Sequence, residues 1–577
     1  MMRHRPLWLL ATLLAAACDR PSGPRSPAIL PLPATVAPPV PPVAAPPQAA
    51  EPATIRFRDA TAGSGIDFVH ASGNDPKKHF PTSLGSGVAL LDYDGDGRLD
   101  IYFCTTRSLP LDAPDPSRGN RLYRNLGGLK FQDVTDSAGV GHNGFCHGAA
   151  VGDVDNDGRP DLYLTTLGRN VLYRNRGDGT FADITAGSGV ESPGWSSGAA
   201  FLDYDGDGVL DLYVSRYAEY DPSAEQPFCG DRQKNVRIIC SPFSLTPARH
   251  SLYKGRGDGT FVETTVAAGL TRRDGRGLGV VAADVDGDGR TDIYVANDGC
   301  PKFLYRNKGD GTFEDISESS GADRNAAGEV QGSMGVDIQD LDGDGRPELF
   351  VTNFRGQYNT LYRNLDGRTF QDASAEAGVV RDSLAYVGWG CGLADLDNDG
   401  RPDLLVVNGE VDDNLRELGQ EATYEQPAFV WWQRPDGKFI RVADPGPYFR
   451  VPHPARGAAF GDLDDDGDLD VVVSHMQQAP ALLVNESKSG HWLRVVCKPS
   501  KTNRSAIGAA VEVVAGGRSF HRQVKGGDSY LSANDPRPLI GLGPIDRVDR
   551  VVVRWPGGKT STVEGPPVDR TVELVEP

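Results

Sequence analysis

From about residue 55 onward, short apolar runs alternate with short acidic or glycine-rich loops in one recurring order. A run rich in small residues, such as Gly148-Ala-Ala-Val-Gly, leads into an Asp-rich loop, and a second apolar run, Asp161-Leu-Tyr-Leu-Thr, follows it. Apolar runs of four to eight residues bounded by Gly and Asp read as strands rather than helices. Each acidic loop therefore joins the two strands of a hairpin. A second hairpin comes next, as in Leu122-Tyr-Arg-Asn-Leu-Gly-Gly-Leu-Lys-Phe131-Gln-Asp133 and Leu172-Tyr-Arg-Asn-Arg-Gly-Asp-Gly-Thr-Phe181-Ala-Asp183. It turns on Gly-Gly or Asp-Gly, the residues that tight hairpins favour. Further copies begin at Leu252, Leu304 and Leu361, with a degraded one near Val430.

Each repeat is thus four strands, and the acidic loops start 50 to 81 residues apart. Four-stranded units at such a period predict an all-β fold, a seven-bladed β-propeller over residues 55–487. The ends of the array fit a closed ring. It opens with a lone fourth-strand match, Phe57-Arg-Asp59-Ala-Thr, and finishes after a third strand, Ala481-Leu-Leu-Val-Asn485. Residues 55–60 are therefore expected to pair with 480–486 as the outer strand of the last blade. The small residues at Gly87, Gly148, Gly198 and Gly457 suit innermost strands crowded around an axis.

The acidic loops follow Asp-x-Asp-x-Asp-Gly-x-x-Asp. Their carboxylates are Asp92, Asp94, Asp96 and Asp100, then Asp153, Asp155, Asp157 and Asp161, then Asp203, Asp205, Asp207 and Asp211. They continue with Asp284, Asp286, Asp288 and Asp292, then Asp340, Asp342, Asp344 and Glu348. Asp395, Asp397, Asp399 and Asp403, and finally Asp462, Asp464, Asp466 and Asp470, complete the series. Alternate side chains of a tight loop converge, the glycine at position 6 permits the positive φ that folds it back, and the carbonyl at position 7 and carboxylate at position 9 close the shell. Calcium takes six to eight oxygens in irregular geometry, whereas magnesium demands a strict octahedron and zinc prefers His or Cys. Calcium is the expected ion, up to seven of them and structural in role. An EF-hand is excluded, because it needs flanking helices and Glu at position 12.

These residues closely resemble the FG-GAP and VCBS-type repeats of integrin-like propellers. From His491 the repeat stops and a small β-sandwich-like domain over 488–577 is expected. Asn503-Arg504-Ser505-Ala-Ile-Gly508, Gly526-Gly-Asp-Ser-Tyr530-Leu-Ser532, Gly541-Leu-Gly543 and Val551-Val-Val-Arg554-Trp555-Pro556-Gly557 resemble the ASPIC/UnbV domain. The pairing with the propeller resembles the cartilage acidic protein family and implies an extracellular, calcium-dependent interaction. One departure is Asp528-Ser-Tyr530, where a second glycine is expected near the aromatic. These Gly, Pro and Trp residues are read as shaping the sandwich, and Arg504 and Arg554 as structural or solvated.

The N-terminus changes the setting. Arg3, His4 and Arg5 precede an apolar stretch from Leu7 to Ala17, too short to span a bilayer, that ends in Leu14-Ala-Ala-Ala-Cys18. This resembles a bacterial lipobox, so residues 1–18 are read as a lipoprotein-type signal with Cys18 lipidated, in a protein held at the bacterial envelope or cell surface. Residues 19–54 carry 12 prolines among 36 residues and are expected to form an extended stalk. The formal charge of −20 argues against nucleic acid, and seven calcium ions, adding fourteen positive charges, would bring it to −6.

Among the remaining cysteines, Cys229 and Cys240 in the insertion at 217–250 are close enough in sequence to pair, and Cys104 and Cys146, at comparable places in adjacent blades, are candidates for a second bond. Two Arg-Gly-Asp triplets, ending at Asp178 and Asp258, fall at hairpin turns and are explained by turn chemistry. His70, His142, Cys146 and His147 lack ligand spacing and read as structural. No nucleophile elbow or phosphate loop occurs. The leading expectation is a binding or adhesion scaffold whose loop-bearing faces and insertion contact a protein or glycan. The alternative is a polysaccharide lyase or hydrolase at the propeller mouth served by Glu410, Asp412 and Asp413.

Overall fold

The computed structural model describes residues 55–577 apart from 72–75, 110, 112–118, 489, 501–502 and 504. The expected signal with Cys18, the expected stalk and Arg504 lie outside the described residues. Up to Asn485 the alternating runs form antiparallel strands, and the pairings give seven four-stranded units. In the first, Val88–Leu91 pairs with Asp100–Phe103, which pairs with Arg121–Asn125, which pairs with Phe131–Asp133. The acidic loop thus joins the first two strands and the Gly-Gly turn the last two. The seventh unit is Ala455–Gly461, Asp470–His475, Ala481–Asn485 and, from the other end of the described chain, Phe57–Asp59. The register sets Phe57 opposite Asn485 and Asp59 opposite Leu483, which closes the propeller as the ends of the array predict.

The apolar faces of neighbouring units pack together. Ile101, Phe103 and Tyr123 of the first unit share a core with Val472, Leu482 and Val484 of the seventh.

The C-terminal segment forms two sheets. His491–Lys498 lies between Leu539–Gly543 and, in parallel, Arg570–Val575. Ala510–Ala515 lies between Arg518–Gln523 and Val548–Arg554, which also pairs with Thr560–Glu564. Its core residues Val511, Phe520, Val553 and Trp555 are continuous with Phe201, Leu210 and Tyr253 of the propeller, so residues 55–577 form one compact unit.

Between the two sheets the chain enters the propeller axis. Gly526, Ser529 and Ala533 form bridges to Ala282, Val336 and Ala89. Ser529 Oγ accepts the Cys391 N–H (3.2 Å), Leu531 O the Ala149 N–H (3.4 Å), and Asn534 Oδ1 the Phe460 N–H (2.9 Å). A Cβ on Gly526 would stand 1.7 Å from Phe201 O. Residues 526–534 therefore touch the inner strand of every unit. This corrects two expectations. Gly526-Gly-Asp-Ser-Tyr530-Leu-Ser532 does not shape the sandwich; it fills the axis. The inner-strand glycines are small largely for the same reason, since a Cβ on Gly87 would stand 1.7 Å from Leu531 O and one on Gly457 2.8 Å from Ser532 Oγ. Crowding between neighbouring units acts as well: a Cβ on Gly198 would stand 2.3 Å from Leu278 O, and one on Gly457 2.7 Å from Gly87 Cα.

Candidate metal loops and the faces around them

Each acidic loop is built in the same way. The first carboxylate sits at the centre and accepts backbone N–H groups: Asp92 takes those of Gly95 (2.9 Å), Asp96 (3.1 Å) and Gly97 (2.9 Å). Asp462 takes those of Asp465, Asp466 and Gly467. This wrapping needs a left-handed residue at position 6. Gly97, Gly158, Gly208, Gly289, Gly345, Gly400 and Gly467 all have φ between 81° and 93°.

The ninth carboxylate does something the spacing alone does not reveal. Asp100 Oδ2 accepts the N–H of Tyr93 (3.0 Å) and its Oδ1 the N–H of Asn125 on the third strand (2.8 Å). Asp161, Asp211, Asp292, Glu348, Asp403 and Asp470 repeat the bond to the third strand. Position 9 thus ties the first hairpin to the second.

Burial of so much acid is costly without a counter-charge. Burial, reinforced by the loop's other carboxylates, pushes Asp100 up to about 7 and Asp161, Asp211 and Glu348 up to about 8. Carboxylate oxygens converge to within 4.8 Å of one another in Asp92/Asp94/Asp96, Asp153/Asp155/Asp161, Asp203/Asp205/Asp211, Asp284/Asp286/Asp292 and Asp340/Asp342/Asp344. At position 3, Oδ1 of Asp155, Asp205 and Asp464 is buried without a hydrogen-bond partner. An all-oxygen donor set with orphaned carboxylate atoms fits a hard cation of calcium's kind. Bases meet part of the same acid: Arg124 Nε lies 2.5 Å from Asp94 and Arg306 Nε 2.5 Å from Asp286, while Lys254 pairs with Asp205 and Arg159 with Asp157.

A second set of residues went unread in the sequence. The Asn ending each Leu-Tyr-Arg-Asn run points its amide into the neighbouring unit. Asn175 donates to Tyr93 O (2.7 Å), Asn307 to Tyr204 O (2.8 Å), Asn364 to Val285 O (2.8 Å) and Asn485 to Leu396 O (2.9 Å). Gln433 takes the role in the sixth unit, donating to Leu341 O (3.0 Å). Each acceptor is position 2 of the adjacent acidic loop, so the loops are linked around the ring. In the third unit Gly255 stands at this place, and a Cβ there would meet Leu210 O at 2.2 Å. The repetition of Asn after Tyr-Arg was the available signal.

The C-terminal segment covers much of the acidic-loop face, contrary to the expectation that this face is free for a partner. Arg494 pairs with Asp462 and, at 2.5 Å, with Asp465. Ser505 Oγ accepts the Asp153 N–H (2.8 Å), and the Gln523 side chain accepts from Asp284 N and donates to Asp284 O (2.9 and 2.7 Å). Lys525 pairs with buried Asp337.

At the other end of the axis, Cys229 and Cys240 are disulfide-bonded with Cα atoms 5.3 Å apart. The acids considered for catalysis hold this region together. Glu410, 1% exposed, pairs with Arg355 (3.1 Å), Asp412 accepts the Ile239 N–H (2.9 Å), and Asp413 pairs with Lys78. Cys104 and Cys146 are buried neighbours but remain thiols, as do Cys300, Cys391 and Cys497.

His70 and His147 lie near one another, and Ser86 Oγ donates to Cys146 O (2.7 Å), while the charge acting on His142 is that of Asp183. His70 Nε2 bonds Ser86 Oγ (3.0 Å), and His147 Nδ1 bonds Gly85 O (3.0 Å) while its Nε2 accepts from Trp195 Nε1–H (2.9 Å). Burial holds His70 at about 3 and His142 and His147 at about 4, so they are neutral packing groups. In the Arg-Gly-Asp triplets, Asp178 and Asp258 accept from Thr180 and Thr260 two residues on, as turn residues do.

Family comparisons agree with this architecture. A model described as FG-GAP-like repeat matches residues 92–164, 160–214, 243–295, 284–351 and 340–406, and one described as ASPIC and UnbV matches 499–577. The chain is 30% identical over 313 residues to cartilage acidic protein 1 of Xenopus tropicalis, covering 53% of this chain and 45% of that protein. Against the human protein it is 28% identical over 305 residues, covering 52% and 43%. The aligned part spans less than half the length of these relatives. Among solved structures, similarity extends to an Agrocybe aegerita lectin that recognises non-reducing terminal N-acetylglucosamine (18% identity, TM-score 0.39, covering 67% of this chain and 88% of the lectin). It extends also to YCF48 bound to D1 peptide (8% identity, TM-score 0.38, covering 72% and 99%). The chain is an FG-GAP-repeat β-propeller protein with a C-terminal ASPIC and UnbV domain, similar over half its length to cartilage acidic protein 1.

Proposed function

We propose that the protein is an exported, calcium-stabilised binding scaffold, lipid-anchored through Cys18 and raised from the membrane by its proline-rich stalk. The observation that carries the calcium reading is the orphaned position-3 carboxylate oxygen of Asp155 and Asp205, buried inside loops whose carboxylate oxygens converge. In this reading the carboxylates of positions 1, 3, 5 and 9 hold up to seven ions, which offset the repulsion within each loop and fix the hairpins. Affinities of about 10⁻⁴–10⁻³ M, usual for extracellular modules, would tie folding to outside calcium.

A protein or glycan partner is the expected ligand. The axis is filled by residues 526–534, and Glu410, Asp412 and Asp413 are engaged in structural bonds, which favours binding over catalysis at the propeller mouth. Calorimetric titration of the full chain with calcium tests the proposal. Saturable binding at several sites, weakened by Asp155→Asn and Asp205→Asn, is the expected result. No heat of calcium binding to the folded protein would overturn it.

A further inference from the structure

Lys525 leads the segment that enters the axis, and the backbone around it is fixed on both sides. Gly526 exchanges hydrogen bonds with Ala282 (2.7 and 3.1 Å), and Ser529 O accepts the Val336 N–H (2.9 Å). Lys525 Nζ pairs there with Asp337 Oδ1, on the inner strand Gln331–Gln339 of the fifth unit, and donates to Ile338 O (3.3 Å). The pair is buried: the two side chains are 15% and 3% exposed. A third titratable group faces it. Asp528 is buried too, hydrogen bonds from Asn534 hold its carboxyl, and its Oδ1 has no partner. The charges that act on it are those of Lys525 and Asp337. Asp528 is also the residue that departs from the ASPIC/UnbV pattern, and sequence reasoning gave it no role.

We propose that Lys525 and Asp337 become joined by an isopeptide bond, formed by the folded chain itself with Asp528 as the proton carrier. In water an ammonium and a carboxylate do not condense, because solvation stabilises both ions. Burial removes that solvation, and the fixed contact replaces a bimolecular encounter. Burial opposes the Lys525 charge, but Asp337 and Asp528 together hold it, so the neutral amine is the minor state and the bond forms after folding. Lys525 Nζ gives one proton to Asp337 Oδ1 and attacks Cγ. Negative charge develops on Oδ2, which accepts the Leu393 N–H (2.7 Å). Asp528 then takes a second proton from the nitrogen and passes it to Oδ1. The Cγ–Oδ1 bond breaks, Oδ1 leaves as water, and Asp528 ends as it began. An ammonium and a carboxylate become one amide and one water, with nothing oxidised or reduced. The bond removes two buried charges and ties the C-terminal segment to the fifth unit across 188 residues of chain.

Mass spectrometry of the folded full chain, aged at neutral pH and then denatured, reduced and digested with trypsin, tests this. The expected result is a branched peptide joining the Lys525 and Asp337 segments, about 18 Da lighter than their sum, with cleavage after Lys525 blocked. Lys525→Arg abolishes the branched peptide. Asp528→Asn, which keeps the shape of the side chain, lowers its yield at least about tenfold. Linear peptides at full yield from the folded chain would overturn the inference. A yield unchanged in folded Asp528→Asn would overturn the role given to Asp528. Should Lys525→Arg fail to fold, the wild-type digest still decides, because fragmentation of the branched peptide shows whether the bond lies between Lys525 and Asp337.

Discussion

Asn125 in the first unit donates its side-chain amide to the carbonyl of Leu463 in the seventh, 2.9 Å away and 338 residues later. Together with the pairing of Phe57–Asp59 on Ala481–Asn485, this bond closes the ring twice, once at the inner loops and once at the outer edge. The two closures are chemically distinct. One is a side chain clamping a loop that holds acid, the other a backbone ladder.

Asn125→Ala therefore leaves the Leu463 and Leu99 carbonyls without their buried donor, since the same amide also bonds Leu99 O (3.0 Å). The expected loss is about 1–3 kcal/mol in chemical denaturation. Asn485→Ala, with its bonds to Leu396 and Leu469, should cost a similar amount. A loss near zero in both would show that the clamps contribute nothing net.

The filled axis predicts that the C-terminal segment is part of the propeller's fold. Gly87→Ala drives a Cβ onto Leu531 O, backbone against backbone, and should destabilise by roughly 3 kcal/mol or more. A chain ending at residue 487 should lose cooperative unfolding, because the inner strands would face an empty channel. A truncated chain that melts as sharply and as high as the full one would contradict this.

The Cys229–Cys240 bond closes a loop of sequence separation 11 in the insertion. Loop-closure entropy gives it about 2–3 kcal/mol. The hairpin it staples carries Arg237 and Ile239, which bond Asn414 and Asp412. Cys229→Ser with Cys240→Ser should therefore raise proteolytic cleavage within 217–250 and speed amide exchange at Ile239, with little change in the global melt. Unchanged cleavage would mean that the contacts to Asp412 and Asn414 suffice.

Buried histidines give a pH dependence with a definite sign. His70 and His475 are held at about 3 and His142, His147 and His250 at about 4, in each case chiefly by burial. Their folded values lie below the unfolded value of about 6.5, so the unfolded chain binds more protons as pH falls. Stability is fully present above pH 6.5 and is lost progressively as pH drops toward the folded values. Between pH 6.5 and 5 each contributes roughly 2 kcal/mol of loss. Melting in saturating calcium should fall steeply over that window, and His147→Gln should flatten the fall; a flat profile would contradict it.

The four-strand repeat, the order of its hairpins and the closing strand were legible because each is written locally, as a period, a turn residue or a truncated copy at the ends. The converging carboxylates of the acidic loops were legible for the same reason. The role of Gly526-Gly-Asp-Ser-Tyr530 was not, because a segment that packs against seven strands distant in sequence carries no periodicity of its own. Its sign in the sequence was indirect, in the small residues at Gly87, Gly148 and Gly457 that face it. The clamp of Asn125, Asn175, Asn307, Asn364 and Asn485 was visible as a repeated letter, but its acceptors lie in adjacent units and only three dimensions reveal them. Glu410, Asp412 and Asp413 illustrate the converse: acids grouped in sequence that each bond a different, distant element.

The central claim is that calcium in the acidic loops holds the propeller together. Thermal unfolding of the full chain in millimolar calcium, then in excess chelator, then in magnesium, tests it most directly. At calcium about fiftyfold above Kd each occupied loop adds roughly 2 kcal/mol. Chelation should therefore lower Tm by more than about 10 °C, with recovery in calcium and not in magnesium. A melting curve unchanged by chelation would show that the buried carboxylates are carried by Arg124, Arg306, Lys254 and their like alone, and the account would fall.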